Sequence, residues 1–394
     1  MKILVCNVGS TSLKFKLFDM PSEHVLVQAG IERVGNPDGG LYKFKTETVD
    51  YKEERMVIKD YRAGIEIFLN MMLEYHVIGS LDEISAIGFK TVLSKGHLGV
   101  HVIDDAVLKG MEDYLVVAPA HNKHYLAAVR TIQEILPETT LVGVFETAFH
   151  QTIPEEAYVY SAPYEWYEKY GVRRFGYHGA SHSYVAANLN ERLGEHYRAV
   201  SCHLGGSCSL CAIVDGKSVD TSFGLSLQAG LPQSNRCGDI DPYLIFYMVN
   251  SCGKTLEEVE KELGTQSGLL GISGVSGDLR DVLAAADGGN ERAKLAVDIF
   301  IHDLVKYIGG YAAVMGGIDA VAFTGGIGEN SEYVRGRVIE KLAFLGIKLA
   351  YEPKKDETVT KLTDEASNVS VFVIPANEEL GVARATLKAV SADQ

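Results

Sequence analysis

Three short runs rich in glycine and hydroxyl residues, each set directly behind an apolar stretch of β character, constrain this chain more than any other feature in it. Residues 2–6 lead into Asn7-Val8-Gly9-Ser10-Thr11-Ser12, residues 199–204 into a turn that includes His203, Gly205, Gly206 and Ser207, and residues 320–323 into Thr324-Gly325-Gly326-Ile327-Gly328-Glu329-Asn330. Backbone N–H groups that carry no bulky side chain can approach phosphate oxygens and offset their charge. One such turn is ordinary turn chemistry. Three in one chain, each behind a strand, point to a polyphosphate ligand. Ser10, Ser12 and Lys14 add hydroxyl and ammonium donors to the first turn, although Lys14 by itself is equally well a solvated strand lysine.

The elements around these turns alternate between strand and helix. A second strand is expected over 13–18 and a helix over 61–76, where Ile65, Phe68, Leu69 and Met72 fall on one helical face. A short strand follows at 84–88. After residue 150 the opening pattern returns: strand 199–204, turn, strand 208–214, then Asp215-Gly216 as a hairpin into 217–221. Helical periodicity covers 242–263, 277–286, 291–315 and 331–345, and a last strand at 370–374 runs into a C-terminal helix. With 394 residues and no low-complexity linker, the expected class is α/β, built from two related halves packed around a cleft.

Charge narrows the partners. Lys and Arg number 37 against 52 Asp and Glu, a net charge of −15, which disfavours nucleic acid and anionic membrane surfaces. No 18-residue apolar stretch lacks a charge, since even the richest carries Asp319, and the N-terminus enters a strand without a signal-type apolar region. Six irregularly spaced cysteines suit a reducing compartment, so a cytoplasmic protein is expected. Cys208 and Cys211 form a C-x-x-C, but inside a strand-like run with no second ligand pair near it.

Two further clusters bear on chemistry. The segment 142–182 is dense in histidine, arginine and acid, including Glu146, His150, Arg173, Arg174, His178 and His182, and the glycines flanking His178 are expected to present its imidazole rather than bury it. In Asn235-Arg236-Cys237-Gly238-Asp239-Ile240-Asp241-Pro242, Asp239 or Asp241 is a candidate cap for the next helix, and Arg236 is the residue type that spreads charge in a transition state.

At these residues the chain resembles the acetokinase family, the acetate and propionate kinases, within the superfamily of sugar kinases, actin and heat-shock ATPases. The likeness is collinear over essentially the whole chain. It is carried by residues 7–14, by Pro154-Glu155-Glu156-Ala157-Tyr158, and by blocks at 176–182, 216–222, 238–242, 323–331 and 377–380. The resemblance implies two duplicated actin/sugar-kinase-like, ribonuclease H-like domains, 1–149 with 384–394 and 150–383, around a central catalytic cleft. It implies ATP and Mg²⁺ as cofactors, a small carboxylate as acceptor, and a homodimer. Residue by residue, Ser10, Ser12 and Lys14 match the first phosphate loop, His203, Gly205, Gly206 and Ser207 the second, and Gly325, Gly326, Ile327, Gly328 and Asn330 the adenosine motif. Asn7 and Glu378, with Asn377 beside it, match metal-associated positions. Glu146, Arg236, His178 and Lys90 match catalytic positions, and Lys90, Val92, Ala120, Tyr177 and Leu227 match the acceptor pocket. The implied reaction is in-line transfer of the γ-phosphoryl group to a carboxylate oxygen, which makes an acyl phosphate reversibly.

Several of these positions depart from the family pattern. Lys90 stands for an arginine, so a planar fork becomes a point charge. Glu146 stands for an aspartate and Gly206 for an asparagine, while Ala120, Tyr177 and Leu227 replace a larger aliphatic, a phenylalanine and a proline. Beside an acetate kinase, the residues therefore leave open a kinase of the same fold with a bulkier or more polar acceptor, another phosphoryl donor, and a nucleotide-binding homologue with little turnover.

Overall fold

Ile3, Leu4, Val5 and Cys6 are all buried, which means that the strand they form is covered on both faces, as a centrally placed, parallel-paired strand requires. In this computed structural model, which describes residues 1–117, 119–356 and 358–392 with the side chains of 119–121 excepted, they lie in β1 (Lys2–Val8). An antiparallel run follows: β2 (Ser12–Asp19), β3 (His24–Glu32), β4 (Gly40–Lys45) and β5 (Asp50–Met56). Helix α1 (Tyr61–Glu74) leads to β6 (Ile84–Thr91), parallel to β1. Then β7 (Val100–Val102), α2 (Asp105–Asp113) and α3 (Pro119–Ile135) precede β8 (Thr140–Phe145), parallel to β6. The eight strands lie in the order β5-β4-β3-β2-β1-β6-β8-β7. Ile65, Phe68 and Met72 of α1 bury into the same core as Phe15, and the rings of Phe15 and Phe68 stack with centroids 4.3 Å apart.

Residue 152 opens a second set of elements: α4 (Glu155–Tyr158), α5 (Tyr164–Tyr170), α6 (Gly179–Leu193), β9 (Arg198–Leu204), β10 (Cys208–Val214) and β11 (Lys217–Thr221). Helices α7 (Tyr243–Cys252), α8 (Leu256–Thr265), α9 (Gly268–Ser273), α10 (Leu279–Asp287) and α11 (Glu291–Val314) follow. The set closes with β12 (Ala320–Thr324), α12 (Gly325–Asn330), α13 (Glu332–Lys341), β13 (Leu349–Asp356), β14 (Val359–Thr363) and β15 (Ser370–Val373). Its sheet order is β11-β10-β9-β12-β15-β14-β13. The run β3-β2-β1-β6-β8 in the first sheet and the run β11-β10-β9-β12-β15 in the second both have two antiparallel joints followed by two parallel ones. The duplication expected from the two similar strand–turn–strand openings is therefore a duplication of topology.

Three local expectations are corrected. Asn7 belongs to β1, opposite Lys14 of β2, rather than to the turn. The run 242–263 is two helices, because Gly253 at φ 74° ends α7 in the left-handed region. The third glycine run is helical from Gly325, not a turn. Strands β3–β5 lie outside the elements expected from the sequence: β5 has no buried residue, whereas β3 and β4 alternate buried and open positions and send Val27, Ala29, Ile31, Tyr42 and Phe44 into the core.

The chain divides into two compact units, Met1–Gln151 with Asn377–Gln394, and Thr152–Ala376. The return to the first unit is α14 (Glu378–Ala392), which packs on β6, β1 and β8. Gly88 makes that seat possible: a Cβ there would stand 2.2 Å from Thr386 Oγ1 and 2.9 Å from Val382 Cγ1. Gly88→Ala is accordingly expected to cost about 1–3 kcal/mol through overpacking, measured as a lowered denaturation midpoint. Part of the loss should return in Gly88→Ala/Thr386→Ala, and an unchanged midpoint in the single variant would show that α14 can shift without cost.

Candidate active site

Lys90 is the penultimate residue of β6, and Glu146 follows immediately on β8. In the parallel register Lys90 lies beside Val144, so Glu146, two residues on, falls on the same sheet face as Lys90. The Glu146 N–H donates to the Thr91 carbonyl at 2.8 Å, which holds this register beyond the strand end. Glu378, the first residue of α14, arrives on that face with the helix. The Lys90 Nζ lies 2.9 Å from Glu146 Oε1 and 2.6 Å from Glu378 Oε2, with all three side chains largely buried. Burial alone would drive the proton off the ammonium, but the two carboxylates outweigh it and hold Lys90 well above the usual lysine range. Within these three residues one cation faces two carboxylates.

Asn7 lies on the same strand-end side of unit one. Its Oδ1 accepts from the Tyr125 hydroxyl at 3.0 Å, and that hydroxyl accepts the Val8 N–H at 3.2 Å. Burial pushes the Tyr125 phenol up, with the Lys90 charge acting against it. The first turn is anchored by Tyr61, whose hydroxyl reaches the carbonyls of Gly9 at 2.6 Å and Ser10 at 2.9 Å and Nδ1 of His124 at 2.9 Å. Ser10 and Lys14 are exposed, Ser12 half-buried and Val92 buried. Glu378, Glu146 and Asn7 offer hard oxygen donors of the kind Mg²⁺ takes. Among the described residues no three His, Cys, Asp or Glu side chains converge to cage a metal, so such an ion would depend on phosphate oxygens for the rest of its shell.

In unit two, His178 caps α6 in the left-handed region at φ 58°, and it is only 8% exposed, so the expectation of a presented imidazole is corrected. Its Nδ1 lies 2.8 Å from Ser209 Oγ, and its ring lies against that of His203, with centroids 4.1 Å apart and the planes tilted by 31°. His182, one helical turn on, reaches the same Ser209 Oγ through Nε2 at 2.9 Å and Ser201 Oγ through Nδ1 at 2.8 Å. His203 Nδ1 pairs with Ser181 Oγ at 2.8 Å. The flanking glycines admit the sharp entry into α6, and the neighbouring strands β9 and β10 then enclose the ring.

The second turn is tied to the segment before α7. The Ser207 hydroxyl donates to Gln233 Oε1 at 2.8 Å, and Arg236 Nη1 donates to both Ser207 Oγ, at 3.3 Å, and Gln233 Oε1, at 3.2 Å. Gln233 is fully buried and donates to the Leu227 carbonyl at 2.7 Å. Burial lowers Arg236 from the usual guanidinium range, with the neighbouring Cys208 acting weakly the other way. Gly206 is exposed and Gly205 half-buried. At the third run, Gly325 has φ 76°, and a Cβ there would meet the Leu204 carbonyl oxygen at 2.7 Å, so only glycine fits where α12 starts beside the end of β9. Asn330 turns its amide back onto the Gly326 carbonyl at 2.8 Å, while the buried Arg335 donates to the carbonyls of Gly328 and Glu329, each at 2.8 Å. Ile327 is half-buried and Gly328 buried.

Tyr177 is buried edge-on against Phe223 and donates to the Leu225 carbonyl at 2.6 Å, and Leu227 is half-buried in the same unit. The side chain of Ala120 lies outside the described residues. Asp241 accepts the Tyr243 N–H at 2.9 Å and so serves the start of α7, whereas Asp239 is taken up by the Gly230 N–H and the Tyr307 hydroxyl. Cys208 and Cys211 point to opposite faces of β10, and burial pushes both thiols up to about 12, which fits neither a metal pair nor a redox pair. Gln233, Tyr125, Ser201 and Arg335 were not singled out from the sequence. Each sits at a position that periodicity assigns to the core or to a loop, and only its contacts mark it.

The family model described as the Acetokinase family matches residues 2–384. The chain is 46% identical over 399 aligned positions to an acetate kinase of Clostridium novyi, covering 99% of this chain and 98% of that protein. A crystal structure of Porphyromonas gingivalis acetate kinase superposes with a TM-score of 0.86 at 36% identity over 99% of both chains. A propionate kinase from Francisella tularensis does so with 0.89 at 35%, over 98% of this chain and 99% of its own.

Lys90→Gln removes the only charge that compensates Glu146 and Glu378 within the three-residue cluster. The variant is expected to lose about 3 kcal/mol at neutral pH, because one partner of a buried ionic group is deleted. The deficit should shrink on acidification. Buried carboxylates facing each other hold their protons more tightly folded than unfolded, and a group with a raised folded pKa stabilises the fold as pH falls. In the wild type Lys90 remains charged below the lysine range, so its contribution stays constant over that interval. Denaturation of both proteins near pH 7 and pH 5 measures this, and a deficit that grows on acidification contradicts the assignment.

Proposed function

The chain belongs to the acetokinase family, with its duplicated actin/sugar-kinase-like α/β fold, and from that premise we propose that it transfers the γ-phosphoryl group of ATP to acetate, reversibly forming acetyl phosphate and ADP. The observation that carries this reading is the buried Lys90 ammonium held between Glu146 and Glu378. An acceptor carboxylate needs a cation, and a metal–nucleotide needs carboxylates. In the reaction, one acetate oxygen bonds to the γ-phosphorus, and the bond from that phosphorus to the β–γ bridging oxygen breaks with its electron pair left on ADP. No proton moves, so positioning and charge neutralisation carry the catalysis.

Lys90 is assigned to the acceptor carboxylate, with Val92, Ala120, Tyr177 and Leu227 on the side of its methyl group. Arg236 and His178 are assigned to the oxygens of the migrating phosphoryl group, where a donor pays most when it binds the transition state selectively. Ser10, Ser12, Lys14, His203, Gly205, Gly206 and Ser207 are assigned to the phosphates, and Gly325, Gly326, Ile327, Gly328 and Asn330 to adenosine. The unit Thr152–Ala376 is thereby the nucleotide-binding domain. Mg²⁺ bound with ATP would supply charge neutralisation, and Glu378 and Asn7 are the residues that would hold it, with Glu146 beside them.

A homodimer and a cytoplasmic location belong to the same proposal. Helix α7 has no buried residue and exposes Tyr243 at 75%, Tyr247 at 63%, and Leu244 and Phe246 beside them, a patch of the kind that a second copy covers. The six cysteines are all free, which suits a reducing compartment, and among the described residues no helix is long and apolar enough to cross a membrane.

Hydroxamate trapping of acyl phosphate with ATP, Mg²⁺ and acetate, propionate or butyrate tests the reaction, with acetate expected to be turned over. Absence of acyl phosphate from all three would overturn the reading. Arg236→Ala should lower kcat by about 10²–10³, the usual effect of removing one preorganised donor, with a much smaller change in KM for ATP, and Arg236→Lys should not restore the full rate. For the assembly, sedimentation is expected to report a dimer that Tyr247→Glu weakens. A wild-type monomer would remove α7 from this role.

A further inference from the structure

His178 is one end of an unbroken polar chain that runs into the interior of its unit: His178 Nδ1 to Ser209 Oγ at 2.8 Å, Ser209 Oγ to His182 Nε2 at 2.9 Å, and His182 Nδ1 to Ser201 Oγ at 2.8 Å. All four side chains are buried. A serine hydroxyl has one hydrogen, and a neutral imidazole has one N–H. Ser209, lodged between two ring nitrogens, must donate to one and accept from the other. The chain therefore has two self-consistent orientations, each the reverse of the other. A mixed state sets two donors or two acceptors face to face in a buried place, at the cost of an unsatisfied polar group.

The far end selects between them. Ser201 sits on β9, fully buried, and its hydroxyl has His182 Nδ1 as its one hydrogen-bond partner among the described residues. If Ser201 accepted from His182, its own hydrogen would point at nothing. It therefore donates, and the rest follows in sequence. His182 Nδ1 is the acceptor, so its proton is on Nε2 and is given to Ser209. Ser209 in turn donates to His178 Nδ1, and the proton of His178 is on Nε2.

We propose that Ser201 acts as a positioning residue which, through His182 and Ser209, sets His178 in the Nε2–H tautomer, so that whatever its Nε2 meets is met by a hydrogen-bond donor. The tautomer follows from the contacts alone, but its purpose rests on the phosphotransfer reading. A phosphoryl group in flight offers only acceptor oxygens, and a lone pair on Nε2 would oppose them. The left-handed backbone at His178 and the His203 ring packed against it, with centroids 4.1 Å apart, confine the imidazole beside Ser209.

Ring-nitrogen NMR of ¹⁵N-histidine-labelled protein without ligands, with the His178 signals assigned through His178→Gln, reads the tautomer directly. The wild type is expected to carry the proton on Nε2. A proton on Nδ1 overturns the proposal before any variant is made. Ser201→Ala should release the chain into a mixture of tautomers and lower kcat about fivefold, the worth of one neutral hydrogen bond, with KM for ATP unchanged. Ser201→Thr, which keeps the hydroxyl on a strand that tolerates β-branching, should retain both the wild-type tautomer and the wild-type kcat. An unaltered tautomer in Ser201→Ala also overturns the proposal, and if that variant does not fold, loss of the wild-type tautomer in Ser201→Thr has the same force. Because the spectrum is taken without substrate, a wild type with the proton on Nε2 but no acyl phosphate formation refutes the phosphotransfer reading and leaves the tautomer assignment standing.

Discussion

One ammonium group closes the first unit. Lys90, Glu146 and Glu378 are far apart in sequence, and they meet because two parallel strand ends and the first residue of α14 share one sheet face. Two buried carboxylates do not coexist there without the cation, and the cation is not held charged at that depth without them. The return of residues 378–392 to a sheet built from residues 2–145 therefore depends on complementary chemistry at residue 90 and on the absence of a side chain at residue 88.

The second unit handles its buried polar groups differently. Where the first uses opposite charges, the second uses neutral donors and acceptors in linked rows: the histidine and serine chain beneath His178, and the Ser207, Gln233 and Arg236 contacts behind the second glycine turn. Rows of this kind cost little desolvation, but they are direction-sensitive, since each hydroxyl proton commits the next. Arg236 is held by neutral oxygens in these contacts, which leaves its charge available to an anion.

Much of the architecture was legible from local pattern. The apolar runs, the hairpin at Asp215-Gly216 and the periodicity of α1 and α11 are set by neighbours within a few residues, so they survive translation into structure with shifts of one or two positions. Strand β5 was not legible, because an edge strand without a buried residue has no periodic signature; β3 and β4, which alternate buried and open residues as inner strands do, did carry one. Departures at Lys90 and Glu146 were visible as residue types, but their mutual contact was not, because parallel register lies beyond anything that spacing encodes. The glycines around His178 were read as presenting its ring. They do permit the left-handed entry to α6, yet whether a ring at such a site faces solvent or protein depends on which strand is packed opposite.

The sequence by itself determined the class of the protein, its two related halves, its three anion-suited runs and the residue types available for phosphotransfer, because strand, turn and helix propensities and side-chain chemistry are local properties. Only the tertiary structure decided which of those residues touch. It placed Lys90 between two carboxylates, turned the third glycine run into a helix seated on the Leu204 carbonyl, and put Ser201 at the foot of a chain that ends on His178. Such pairings depend on register and helix docking, and a hydrogen-bond direction in particular exists only once every buried donor and acceptor in the row has found its neighbour.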